Sequence, residues 1–173
     1  MSLNVLSKWI RFGGYIVLAV CAALLVLGFV IGETDLMSEL YEKIGTIAEI
    51  GAITAFSLWI VRLLFLQLKK RNFVLLKWIQ MAFKLLREHH TIIGWAAFFA
   101  ALAHGSYFFL QTNEEWEIIY SGLATLIGFG VLTSFGLFLD KRARGKKYLA
   151  YRKIHQAISI VFGLALGIHL LFG

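Results

Sequence analysis

The chain has one cysteine, no proline and few charged residues, 16% of its 173 positions. The lone thiol, Cys21, lies inside an apolar run, so a disulfide framework is excluded. Low-complexity segments and repeats of the solenoid kind are also missing. What the chain has in quantity is apolar surface. Hydrophobic residues make up 60% of it, in several runs long enough to cross a bilayer. The expected class is all-α: a polytopic membrane helix bundle forming one domain over 1–173.

Five transmembrane helices are expected, over 13–32, 46–68, 91–111, 117–139 and 154–172. The first run follows Lys8 and Arg11, as the apolar core of a signal peptide would. Its length, and the absence of a small-residue cleavage site behind it, predict a retained first helix instead.

The net charge of +7 is unevenly placed. Every basic residue except Lys43 and Arg62 falls on one side: the N-terminus, the run from Lys69 to Arg87, and the stretch from Lys141 to Lys153. Acidic residues mark the other side, with Glu33, Asp35, Glu39 and Glu42 in one connection and Glu114, Glu115 and Glu117 in another. The positive-inside rule then puts the N-terminus in the cytoplasm and the C-terminus outside, as for a protein of a bacterial inner membrane. The basic excess is a topology signal with anionic lipid as its partner; nucleic acid is not an expected partner. Residues 72–88 place Lys77, Gln80, Lys84 and Arg87 in one polar sector opposite Leu75, Ile79, Phe83 and Leu86. That pattern predicts an interfacial helix on the cytoplasmic surface.

Four histidines stand out within this frame. His90 and His104 are fourteen residues apart in the third span, and His155 and His169 repeat the spacing in the fifth. Fourteen helical residues return to within roughly 40° of one face and rise about 21 Å. Both spans run outward from the cytoplasm, so His90 and His155 share the inner level and His104 and His169 the outer one. Ionisable groups at such depths are costly and usually functional. Two bis-histidine sites for non-covalent b haem are the natural reading, because imidazole is a common axial ligand and two of them favour electron transfer. Covalent c-type attachment is excluded, since no C-x-x-C-H motif exists. Zinc fits poorly, with the pairs about 21 Å apart and no cysteine or carboxylate to complete a tetrahedron.

Neighbouring residues fit the same picture. Gly94, Ala97 and Ala101 form a small-residue strip between His90 and His104, though such strips also serve plain helix packing. Ser159, Phe162 and Leu166 share the histidine face of the fifth span, and Phe162 is seven residues from each histidine, between the two haem levels. Arg87, Arg152 and Lys153 lie within a turn of the inner histidines, in reach of haem propionates or as ordinary anchors. Arg62 has the same two readings, snorkelling or propionate pairing. Glu49 and Ser106 are outer-side candidates for proton or quinol contacts. His89, 100° round the helix from His90, is the fallback inner ligand.

The stretch Arg87-Glu-His-His-Thr-Ile-Ile-Gly94 through His104, followed by Tyr151-Arg-Lys-Ile-His155 through His169, resembles the ferric reductase-like transmembrane domain. That superfamily includes ferric reductases, NADPH oxidases and the haem-binding membrane subunit of a bacterial methionine sulfoxide reductase. The resemblance covers residues 87–172 and implies that His90 and His155 ligate an inner haem, and His104 and His169 an outer one. It also implies electron transfer across the membrane, often from cytoplasmic flavin. Five spans rather than the family's six are expected here. No Gly-rich dinucleotide fingerprint follows a strand, so flavin would belong to a separate partner.

The resulting expectation is a cytochrome b-like electron wire, the membrane haem subunit of an oxidoreductase rather than a complete enzyme. Its donor would be a separate flavoprotein reductase or membrane quinol, and its outer-side acceptor a small oxidant such as ferric chelate or oxygen. Two alternatives stay open: a quinol-linked cytochrome b anchor subunit of a separate redox enzyme, and a non-redox transporter or assembly factor that uses histidines as polar glue.

Overall fold

A computed structural model describes residues 3–30, 34–69, 74–110, 116–142 and 146–172. Five helices account for nearly all of them: α1 (Leu3–Val30), α2 (Asp35–Lys69), α3 (Leu76–Leu110), α4 (Trp116–Arg142) and α5 (Lys146–Phe172). With no proline to interrupt an i→i−4 ladder, each helix runs on past its apolar window into polar residues that favour helix. This is why α1 begins ten residues ahead of the expected span and α2 eleven. Thr34 sets the start of α2, its hydroxyl accepting from the Met37 N–H at 3.3 Å.

All five helices are long and apolar enough to cross a membrane, and large hydrophobic side chains face outward on each of them. A soluble protein could not leave so much apolar surface to water. The chain is an integral membrane protein. Of the charges read in the connections, Glu33, Lys70, Arg71, Glu114, Glu115 and Arg144 lie outside the described residues.

One expected element takes a different form. Residues from Leu76 to Glu88 are the first turns of α3 itself, not a separate helix lying flat, and Asn72 and Phe73 lie outside the described residues. No glycine or proline between Leu76 and His90 provides a bend, so the helix continues straight into its span. The polar sector is as expected: Lys77, Gln80, Lys84 and Arg87 are all exposed. At 35 residues, α2 and α3 are each about 52 Å long, against a hydrocarbon core of about 30 Å. Phe65 and Phe83, stacked with ring centres 5.6 Å apart, join the two helices near the basic end.

The helices alternate in direction. Gly14 meets Ile92 and Gly28 meets Tyr107, so α1 runs parallel to α3. Gly51 meets Ala97, and Tyr41 stacks on Tyr107 at 4.0 Å, so α2 is antiparallel to α3. Gly122 lies at His169 and Gly136 at His155, so α4 is antiparallel to α5. α3 packs against α1, α2 and α4, while α5 packs against α4; α3 and α5 scarcely approach each other. The two helices that carry the paired histidines therefore face each other across a gap.

Candidate functional site

The gap has two levels. At the inner level the rings of His90 and His155 stand edge to face, with centres 6.3 Å apart and planes at 84°. That separation leaves room for one metal ion held by both imidazoles at about 2.0–2.1 Å from each nitrogen. His155 lies over Gly136 of α4, where a Cβ would come within 3.2 Å of its Cε1. Three buried side-chain nitrogens among the described residues have no hydrogen-bond partner: His90 Nδ1, His155 Nδ1 and Arg152 Nε. All three belong to this level, since Arg152 is three residues before His155. Buried polar atoms are normally satisfied, so their concentration in one place marks a site built for something polar.

The outer level is a cavity of about 570 Å³ between α2, α3, α4 and α5, lined by both His104 and His169. Pockets for small molecules and cofactors run from roughly 300 to 1,000 Å³. Each histidine is held from behind through Nδ1. His104 Nδ1 bonds the Tyr41 carbonyl at 2.9 Å, and a carbonyl can only accept, so Nδ1 carries the proton. His169 Nδ1 lies 3.1 Å from Ser121 Oγ, whose one proton goes to the Ile118 carbonyl at 2.9 Å. The serine must accept, and His169 is protonated on Nδ1 as well. Both rings are thus set in the tautomer that leaves Nε2 with a free lone pair, the arrangement found behind metal-ligating histidines.

Between the levels lies a packed layer of Ala52, Ala97, Phe129 and Phe162. Phe162 is 5% exposed and meets Phe129 at 4.6 Å between ring centres. The α4–α5 hairpin therefore has three tiers of matching spacing: Gly122 with His169, Phe129 with Phe162, Gly136 with His155. Of the small-residue strip, Ala101 lines the outer cavity and Gly94 has nothing within 4 Å of where a Cβ would sit. Ala97 instead packs on the α2 backbone at Gly51. Its small size serves helix packing.

The remaining candidates divide. Leu166, Glu49 and Ser106 line the outer cavity. Arg87 and Lys153 are exposed, and Arg62 is half-buried; none has an ion-pair partner among the described residues. His89 points away from His155 and against α1, with Nε2 3.0 Å from Ser7 Oγ and only 1% of its surface exposed. Ser7 also donates to Glu88 at 2.9 Å, and Arg11 pairs with Glu88 at 3.6 Å.

Sequence reading passed over Tyr41, Gly45, Ser121, Gly122, Phe129 and Gly136. One signal for them existed: Gly122 and Gly136 repeat the fourteen-residue spacing of the histidines, with Phe129 midway. Tyr41 acts through its backbone, which no side-chain pattern reveals. Among the described residues no three His, Cys, Asp or Glu side chains gather to hold a lone metal ion; the histidines come in twos. No family model, curated protein or solved structure matches the chain, so the site stands on its own geometry.

Proposed function

We propose that this protein carries single electrons across a membrane through two b haems, an inner one held by His90 and His155 and an outer one held by His104 and His169. The observation that supports this most is the pair of imidazoles standing 6.3 Å apart at the inner level, beside a buried Arg152 Nε–H with no partner among the described residues. A haem fits both, because iron takes imidazole nitrogen and a propionate gives the buried Arg152 Nε–H an acceptor. The outer cavity fits as well, with a suitable volume and two Nε2 lone pairs available.

Bound haem iron supplies a one-electron ferric–ferrous couple; the chain supplies everything else. His90 with His155 and His104 with His169 would each hold one haem iron between two imidazoles, a ligand set that favours electron transfer over binding of an exogenous ligand. Tyr41 and Ser121 fix the outer rings. Gly45, Gly122 and Gly136 let imidazoles lie close on helix backbones. Phe129 and Phe162 fill the space between the levels and exclude water from it. Arg152 places a positive charge at the inner level. The basic end of the bundle faces the cytoplasm of a bacterial cell, by the positive-inside rule. The histidine pairing is what the sequence's resemblance to the ferric reductase-like superfamily implies, with a flavoprotein or quinol as donor.

An optical spectrum of the purified protein, oxidised and reduced, is the test. Two haems per chain with low-spin b-type bands are expected, and His104→Ala should remove the outer haem alone. A colourless protein overturns the proposal and leaves the histidines as polar glue between helices.

A further inference from the structure

A second recess lies on the far side of α3 from the histidine gap. It is a groove of about 800 Å³ between α1 and α3, open along the bundle's flank. Its walls are Tyr15, Trp95 and Phe99, and its depth comes from the small Ala19 and Ala22. At its basic-end mouth sit Arg11 and Glu88, 3.6 Å apart, with the buried His89 beside them.

The chemistry of this groove is specific in three respects. Its two charges are of opposite sign and paired, so the mouth is neutral and favours a neutral head over a phosphate. It presents hydrogen-bond donors, in Arg11, Thr91 and the Trp95 indole. It also presents an acceptor. The Glu88 carboxylate, which takes the Ser7 proton and lies 3.6 Å from Arg11, keeps further lone pairs at the mouth. Aromatic walls, a neutral head site offering donors and an acceptor, and an apolar channel open to lipid describe one ligand class.

We propose that the α1–α3 groove binds a lipid-soluble quinone or quinol, with the ring at Tyr15, His89 and Trp95 and the isoprenoid tail along Ala19 and Ala22. Quinone oxygens take the donors, and quinol hydroxyls also find the acceptor. The inference deepens the proposed function by naming its donor class and where that donor docks. His89 is the helix neighbour of His90, so the ligand would sit one helix width behind the inner level.

The test is photoaffinity labelling of the detergent-purified or nanodisc-embedded protein with a short-tailed azidoquinone, mapped by mass spectrometry. Label is expected on the α1 and α3 peptides around 11–22 and 88–99, competed by excess unlabelled decylquinone and not by added phospholipid. Ala19→Trp, which fills the groove from its lipid-facing wall, should lower labelling at least tenfold while the optical spectrum stays unchanged. Thr91→Val should lower it several-fold without changing the groove's size. Label spread over all lipid-facing helices, label centred on the outer cavity, or competition by phospholipid overturns the groove assignment. Failure here with haem bands intact leaves the electron-transfer reading untouched. A colourless protein that still labels in the groove would sink that reading alone.

Discussion

Ser121 stands behind His169 as a hydrogen-bond acceptor, because its single proton is already committed to Ile118. The helix end of α4 thereby decides which nitrogen of an α5 histidine is free. Ser121→Ala should weaken retention of the outer haem by roughly 10–100-fold, the usual cost of removing such a partner. Haem content per chain after challenge with an apo-protein acceptor measures this. The inner haem should be retained, and equal loss at both levels would contradict the assignment.

Gly45 presents a sterner limit. A Cβ there would come 2.7 Å from His104 Nδ1, and the imidazole cannot retreat without giving up the Tyr41 carbonyl. Gly45→Ala is expected to cost about 1–3 kcal/mol by overpacking and to release the outer haem. Gly167 makes the control, with nothing within 4 Å of the added carbon. Its alanine variant should match or slightly exceed the parent in unfolding by denaturing detergent.

His89 and His90 can be separated by one experiment. His89 is buried against Ser7 of α1, whereas His90 faces His155. His89→Ala should keep both haems and lose about 1 kcal/mol for its hydrogen bond. His90→Ala should lose the inner haem. If the spectra came out the other way round, α3 would be turned by one residue from its described orientation.

The Phe129–Phe162 layer gives a prediction about packing. Phe162→Ala opens a cavity between the two levels. Its cost should fall toward the lower end of the about 3–5 kcal/mol seen in soluble cores, because apolar lipid reduces the transfer part. Phe162→Leu should recover most of it. Unfolding followed by circular dichroism reads both.

Much of this arrangement was legible in the sequence, and for identifiable reasons. Charge asymmetry and apolar runs fixed five helices and their alternation, and alternation alone brought His90 to His155 and His104 to His169. Helix length was less legible. Hydropathy marks only what lies in hydrocarbon, so the polar first turns of α3 read as a separate element. The supports behind the histidines were hidden for another reason. Ser121 and Tyr41 act through a hydroxyl and a carbonyl on neighbouring helices, and which residues face each other depends on packing that periodicity does not encode. Ala97 shows the same limit from the other side, since its contact with Gly51 of α2 comes from packing that the strip pattern alone does not reveal.

The near-absence of packing between α3 and α5 bears on how such a protein is put together. α1, α2 and α3 form one leaf and α4 with α5 another, joined along the seam between α3 and α4 and by the layer of Ala52, Ala97, Phe129 and Phe162. A flat ligand can enter between them edge-on after all five helices are in the bilayer, like a card into a half-open book. Until it does, that seam and the aromatic layer hold the book shut. The cofactor would then act as mortar, and its arrival as the last step of maturation. A chain synthesised without haem should therefore keep its helices while its two leaves become separately accessible to crosslinkers and proteases.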